Sequence, residues 1–177
     1  MPRVLLHICC SPCSIYPVSV LRRENFTVHG FFYNPHIQPY REFERRLDTL
    51  RAFAGNEDLP LIVRSDYDPE TFFRQVAFRE TSRCLYCYSL RLQAAARLAK
   101  KSRFDAFTTT LLYSRRQKHE IVVSIAQEAS RKHGVDFLYR DFRSGWREGQ
   151  QRAKALGMYR QQYCGCLYSE MERFKKR

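Results

Sequence analysis

The sequence predicts a three-layer α/β fold on a mostly parallel, five-stranded sheet. Two observations predict it. Five short apolar or β-branched runs alternate with longer segments of helical period, the order in which parallel strands and crossover helices follow one another. The runs are almost continuously apolar, as suits strands buried on both faces. At 177 residues, 44% of them hydrophobic, the chain is one domain's worth, residues 1–177, and can bury a core without staples.

The expected strands are residues 4–9, 27–33, 61–65, 106–112 and 135–140, and the expected helices 15–24, 40–53, 69–78, 86–101, 117–133, 146–156 and 167–176. Asp68 before Pro69 and Glu70 reads as a helix start: a capping side chain, a proline in the first turn and an acid at the positive dipole end. Gly134 after Arg131, Lys132 and His133 reads as a glycine stop. No repeat, linker or low-complexity stretch interrupts the alternation. In an open parallel sheet, ligands bind beyond the C-terminal strand ends, where the strand order reverses. The segment "HICCSPCS" (residues 7–14) follows the first strand, so its thiols are expected in that crevice.

All seven cysteines lie in three groups: Cys9, Cys10 and Cys13; Cys84 and Cys87; Cys164 and Cys166. The N-terminal apolar run is too short for a secretory signal, and none approaches the roughly 20 residues of a membrane helix, so a cytoplasmic protein away from membranes is expected. There, clustered cysteines hold metal or do redox chemistry more often than they pair. Cys84 and Cys87, three apart on a helix, share a face and can reach one ion or cluster. Pro12 holds the first group in a turn, and Gly165 is expected to let the backbone pass close to a bulky cofactor. A cluster needs about four thiolates, which leaves three for a second metal with an open position; zinc competes with iron–sulfur for such donors. His7 is expected as a hydrogen-bonded core residue.

Lys+Arg number 31 against 18 Asp+Glu, a net charge of +13, which points to a polyanionic partner. Arg115, Arg116 and Lys118 after the fourth strand, with Arg143 and Arg147 after the fifth, are the expected phosphate contacts, helped by a helix N-terminus.

The segments "HICCSPCS", "YNPHIQPYREFERR", "RCLYCYSLRL", "TTTLLYSRRQ" and "DFRSGWREGQQRAKALGMYRQQYCGCLYSE" together resemble the epoxyqueuosine reductase QueH family, from about Leu5 to Glu170. The resemblance implies a HUP-like (Rossmann-like) fold, a 4Fe–4S cluster beside a mononuclear iron or zinc, and reduction of epoxyqueuosine to queuosine in tRNA without cobalamin. His36 and Gln38 depart from the family pattern, where Asn and His are expected, so no ligand role is carried to His36. Removing an epoxide oxygen takes two electrons and two protons, so an external low-potential electron donor is expected as a partner, with Tyr163, Tyr88 or Asp141 as proton source. Cys84 and Cys87 are assigned to the cluster with Cys10 and Cys13. Strand alternation would turn Cys9 away from Cys10, to join Cys164 and Cys166 at the second metal. Two other functions fit the fold or the thiols. An ATP-dependent tRNA sulfur-transfer enzyme would carry a glycine-rich phosphate loop where "CCSPCS" stands, so ATP is not expected; a zinc-stabilised RNA-binding module would hold zinc alone.

Overall fold

The structure is a computed structural model and describes residues 1–175. Its strands are β1 (Arg3–His7), β2 (Thr27–Tyr33), β3 (Leu61–Arg64), β4 (Ala106–Thr109) and β5 (Asp136–Phe137). They pair in the order β3-β2-β1-β4-β5, every ladder parallel. The helices are α1 (Ile15–Arg23), α2 (Tyr40–Asn56), α3 (Pro69–Val76), α4 (Arg83–Lys101), α5 (His119–His133), α6 (Trp146–Ala155) and α7 (Leu167–Phe174). The expected end of the last helix at Lys176 lies outside the described residues.

β1 is the central strand. Val4, Leu5 and Leu6 are fully buried, and Leu6 sits between Gly30 of β2 and Thr108 of β4. The chain moves outward from β1 through β2 to β3 and then returns to the other side of β1 as β4, so the reversal of strand order lies between β1 and β4. Right-handed crossovers put α1 and α2 on one face and α4 and α5 on the other. α1 packs on β2 and α6, while α4 packs on β1, β4 and α5. Gly145 permits the close approach of α6 to α1: a Cβ there would fall 2.2 Å from the Tyr16 ring.

The two helix signals take the forms expected. Asp68 accepts from Thr71 N at 3.0 Å with Pro69 in the first turn, and Gly134 ends α5 in the left-handed region at φ +63°. Four strands end earlier than the apolar runs do, β3 by a single residue, and at β1 and β4 side chains capture the backbone. β1 stops at His7: Cys9 N turns to Thr110 Oγ1 at 3.2 Å, and Pro12 starts a 3₁₀ turn over Ser11–Cys13. β4 stops at Thr109, whose hydroxyl accepts from Leu111 N and caps a second 3₁₀ turn, Thr110–Leu112. β5 makes its last ladder bond from Leu138 N to Phe107 O, after which Arg140 reaches Glu24 at 3.0 Å. Helix α4 starts three residues before the expected Tyr86, so Cys84 and Cys87 both lie in its first two turns. Helix α5 starts at His119, two residues late, and Arg115 and Arg116 precede it in a turn.

Asp141 caps a third 3₁₀ turn, Phe142–Gly145, by accepting from Arg143 N at 3.0 Å, and it pairs with the Arg143 guanidinium at 2.6 Å. The hydrogen bonds from Arg143 hold its carboxyl at about 2, below the usual 3.8. A depressed carboxyl pKa contributes stability that is complete above the unfolded value and disappears as pH falls through the folded one. Asp141→Ala should therefore cost about 1 kcal/mol near neutrality, typical of a lost cap, with the partly exposed ion pair adding little. In urea titrations the difference from wild type should shrink from pH 4 towards pH 2; a constant difference would refute the linkage.

Candidate metal centre

The three cysteine groups converge beyond the ends of β1 and β4. His7, the last residue of β1, is wholly buried, with Nδ1 3.0 Å from Thr109 Oγ1 and Nε2 3.3 Å from Tyr33 O. These bonds lock the end of β1 to both neighbouring strands, and the chain then delivers Cys9, Cys10 and Cys13 into the crevice. All seven cysteines are free.

Because alternation ends at His7, the expected turn of Cys9 away from Cys10 does not occur. Cys9 and Cys10 sulfurs are 3.8 Å apart, and the Sγ atoms of Cys9, Cys10 and Cys13 all lie within 4.8 Å of one another. Thiolates at that spacing repel. Hydrogen bonds from Cys10 and Cys13 hold Cys9 well below the usual thiol range, while burial and the neighbouring thiols push Cys10 well above it. A bound cation removes this conflict, since it lets every thiol ionise. The donor set can therefore hold a metal ion.

The other four thiols line one cavity of about 500 Å³: Cys84 and Cys87 from α4, Cys164 and Cys166 from the segment before α7. Burial pushes Cys87 up to about 12 despite Arg91, and the nearby Cys164, Cys84 and Cys166 add to the rise. A second cavity of about 280 Å³ is lined by Cys9 and Cys13 and, opposite, by Trp146, Gln150, Arg160 and Gln162. The two cavities meet at Arg116, Gln117 and Cys164.

Two buried arginines organise the thiols. Arg46, from α2, gives Nε to Glu42 at 2.7 Å, Nη1 to Cys164 O at 2.7 Å and Nη2 to Tyr163 O at 2.9 Å. Glu42 in turn accepts from the Tyr159 hydroxyl at 2.5 Å. Arg91, one turn after Cys87, gives Nη2 to Cys87 Sγ at 2.9 Å and Nε to Cys87 O at 3.2 Å. Gly165 has φ +157°, and a Cβ there would meet Ile37 Cγ1 at 3.2 Å; its close approach is to the loop after β2 rather than to the space between the thiols. Gln38 N binds Gly165 O at 2.7 Å from that same loop.

His36, Arg46, Arg91, Gln117 and Gln161 belong to the site although none of them is expected there from sequence as ligand or support. His36 Nε2 is 3.0 Å from Cys87 Sγ, and its buried Nδ1 has no partner among the described residues. Burial and the two arginines hold this ring well below the usual histidine range, so it is neutral. Gln161 Nε2 donates to Cys10 Sγ at 2.8 Å, and Gln117 Nε2 to Cys164 Sγ at 3.2 Å. Only Arg91 left a signal in the sequence, a cation four residues after Cys87 on the same helical face.

Of the expected proton sources, Tyr88 lines the larger cavity and Tyr163 the smaller, whereas Asp141 lines neither. The Tyr88 hydroxyl donates to Gln117 Oε1 at 2.7 Å and accepts from Lys118 N at 3.2 Å, and burial raises its pKa. Tyr163 donates to Gln38 O, and burial pushes it up to about 12. Asp141 is held ionised by Arg143 and has no proton to give at neutral pH. Of the expected phosphate contacts, Arg115, Arg116, Lys118 and Arg147 are exposed, with Arg116 and Lys118 on the rim of the larger cavity. Arg143 is half-buried and its charge is matched by Asp141.

Comparison with known proteins agrees with this arrangement. A family described as Epoxyqueuosine reductase QueH matches residues 4–172. Epoxyqueuosine reductase QueH of Dehalococcoides mccartyi is 35% identical over 175 residues, covering 99% of this chain and 96% of the relative. That of Thermotoga maritima is 34% identical, covering 99% and 94%. Among solved structures, a predicted subunit of a tRNA methyltransferase from Methanocaldococcus jannaschii superposes with a TM-score of 0.59 at 12% identity, over 87% of this chain and 75% of that one, a likeness of fold alone.

Arg46 ties α2 to the segment carrying Cys164. Arg46→Ala leaves Glu42 buried without its cation, and should lower the unfolding free energy by about 3 kcal/mol or more. Limited proteolysis should cut residues 160–166 faster in this variant. Wild-type cleavage rates would show that Arg46 does not hold the loop.

Proposed function

The chain belongs to the epoxyqueuosine reductase QueH family and is an oxidoreductase, and from that premise we propose that it reduces epoxyqueuosine to queuosine in tRNA with a 4Fe–4S cluster and an adjacent mononuclear iron or zinc. The observation that carries this reading is the convergence of seven free thiols from three distant segments on the crevice where the strand order reverses. Cys84, Cys87, Cys164 and Cys166, which line one cavity, hold the cluster; Cys9, Cys10 and Cys13 hold the second metal. This division keeps Cys84, Cys87 and Cys9 where the sequence put them and exchanges Cys10 and Cys13 with Cys164 and Cys166, because Cys9 is packed with Cys10 and Cys13.

The reaction consumes two electrons and two protons, breaks both epoxide C–O bonds, forms a C=C bond and releases water. The two groups supply single-electron transfer from an external low-potential donor and Lewis-acid polarisation of a C–O bond. The protein's own residues do the rest. The smaller cavity admits the modified base, taken out of the anticodon loop as single-stranded bases are. Trp146 offers a stacking face there, and the amides of Gln150 and Gln162 both donate and accept, as a base edge requires. The Tyr88 hydroxyl, linked through Gln117 to Cys164, holds a proton at neutral pH and delivers it between the two cavities. Arg115, Arg116, Lys118 and Arg147 meet phosphates, whereas Arg143 is already paired with Asp141 and contributes less. The protein works in the cytoplasm, where such tRNA is found.

Anaerobically reconstituted protein with a low-potential reductant should convert epoxyqueuosine in tRNA without cobalamin, and full iron and sulfide loading without conversion would sink the proposal. Tyr88→Phe should retain iron and sulfide and lose at least about a hundredfold in turnover; an unchanged rate would remove Tyr88 from the reaction. Cys166→Ala should lose visible absorbance and sulfide, whereas Cys10→Ala should keep both and lose the additional metal. The reverse pattern would return Cys10 and Cys166 to the division expected from sequence.

A further inference from the structure

Phe78 lies in the tight connection between α3 and α4 with 99% of its surface exposed. Its backbone is in the left-handed region, at φ +59°. Short polar residues and glycine adopt that region readily; a bulky aromatic there is a conformational outlier. Total exposure means that no packing in the protein repays this strain. Nor is the loop loose. Phe78 N donates to Glu80 Oε1 at 3.0 Å, Arg79 N to Val76 O at 2.8 Å, Ser82 N to Arg79 O at 2.9 Å, and Arg83 Nη1 to Glu80 O at 2.9 Å. These bonds order the turn, and it holds one phenyl ring out in water. Strain kept at an ordered position points to a function.

The place of the ring indicates what covers it. Glu80, Thr81 and Arg83, two to five residues on, line the larger thiol cavity, which Arg116 and Lys118 line as well. Arg79, next to Phe78, is exposed and in no ion pair among the described residues. An exposed aromatic flanked by an unpaired arginine, on a chain of net charge +13, is the pairing by which proteins hold single-stranded nucleic acid: a ring for a base and a cation for its phosphate. A protein partner or a second copy would bury Phe78 equally well, but neither accounts for the basic rim.

We propose that Phe78 is a stacking platform for an unpaired base of the RNA loop that neighbours the base taken into the site, with Arg79 on the adjoining phosphate. The inference rests on the reading of this chain as a tRNA-modifying enzyme. It adds a contact beside the Glu80–Arg83 wall of the cavity to those of Arg116 and Lys118, which line the same cavity.

The test measures binding of an anticodon stem–loop RNA to reconstituted full-length protein by fluorescence anisotropy at fixed salt, with iron content and thermal midpoint recorded for each variant. Phe78→Ala should bind about tenfold more weakly, the scale of one lost base stack, with an unchanged slope of log K against log salt. Phe78→Trp should stay within about threefold of wild type. Arg79→Ala should lower the salt slope by nearly one unit. Phe78→Gly separates function from folding. Glycine suits φ +59°, so this variant should melt about 2 °C higher while binding as weakly as Phe78→Ala; it also carries the test if Phe78→Ala folds poorly. Equal affinity of wild type and Phe78→Gly overturns the proposal, as does an equal loss in Phe78→Trp. A concentration-dependent dimer in sedimentation that Phe78→Ala abolishes, with RNA affinity intact, would assign the ring to a second copy instead. If wild-type protein binds no RNA, the tRNA reading itself fails, an outcome distinct from wild-type binding that ignores Phe78.

Discussion

A buried guanidinium needs an anion, and Arg91 has no carboxylate. It is 2% exposed, forms no ion pair with Asp or Glu among the described residues, and puts Nη2 2.9 Å from Cys87 Sγ. Leaving such a charge uncompensated in a core costs several kcal/mol. The negative charge must come from thiolate, and the metal–thiolate centre proposed above would supply it. The second buried guanidinium, Arg46, is satisfied by Glu42 and spends its remaining donors on the carbonyls of Tyr163 and Cys164. Two cations therefore stand around the thiols with different duties: Arg91 neutralises the centre, and Arg46 fixes the backbone that brings Cys164 to it.

This constraint explains how a segment near the C-terminus joins a site built at the end of the central strand. Residues 163–166 lie between α6 and α7 and make no part of the sheet. Arg46 reaches them across a sequence separation of 118, Gln38 binds Gly165 and Leu167, and Gln161 binds Cys10. Each bond joins this segment to the loop after β2, to α2 or to the turn after β1. The sulfurs are thus held by backbone contacts as well as by the metal they serve, so the protein carries part of the ordering cost of the site before any metal enters.

The sheet and the place of the site were legible in the sequence, because apolar continuity and helical period report burial directly. The crevice could be located once "CCSPCS" was assigned to the end of the first strand. What was not legible depends on where side chains capture the backbone. The apolar run 4–9 gives no sign that Thr110, a hundred residues on, will draw Cys9 N out of the strand, and that one bond reverses the expected direction of Cys9. Arg46 reads as one of many basic residues on a charged helix; its burial follows from Glu42 one turn away and from carbonyls that local pattern cannot bring near it. His36 stands in a loop to which the resemblance carried no ligand role, yet its ring touches Cys87. Helix start and stop signals at Asp68 and Gly134 were readable for the opposite reason: their partners lie within four residues.

The same distinction separates this site from others built on a similar scaffold. The fold is shared with a protein only 12% identical to this one, and an open parallel sheet fixes where a ligand goes without fixing which ligand. Chemistry is decided in the first turn after β1. A glycine-rich turn there would present backbone N–H groups to phosphate. Here Pro12 removes one such donor, and the 3₁₀ turn over Ser11–Cys13 gathers three sulfurs within 4.8 Å. A turn that concentrates anionic donors cannot also cradle an anion. Substituting thiols for amides at one strand end therefore converts an anion-binding crevice into a cation-binding one, and the buried arginines follow from that exchange, since a centre rich in thiolate must itself be balanced.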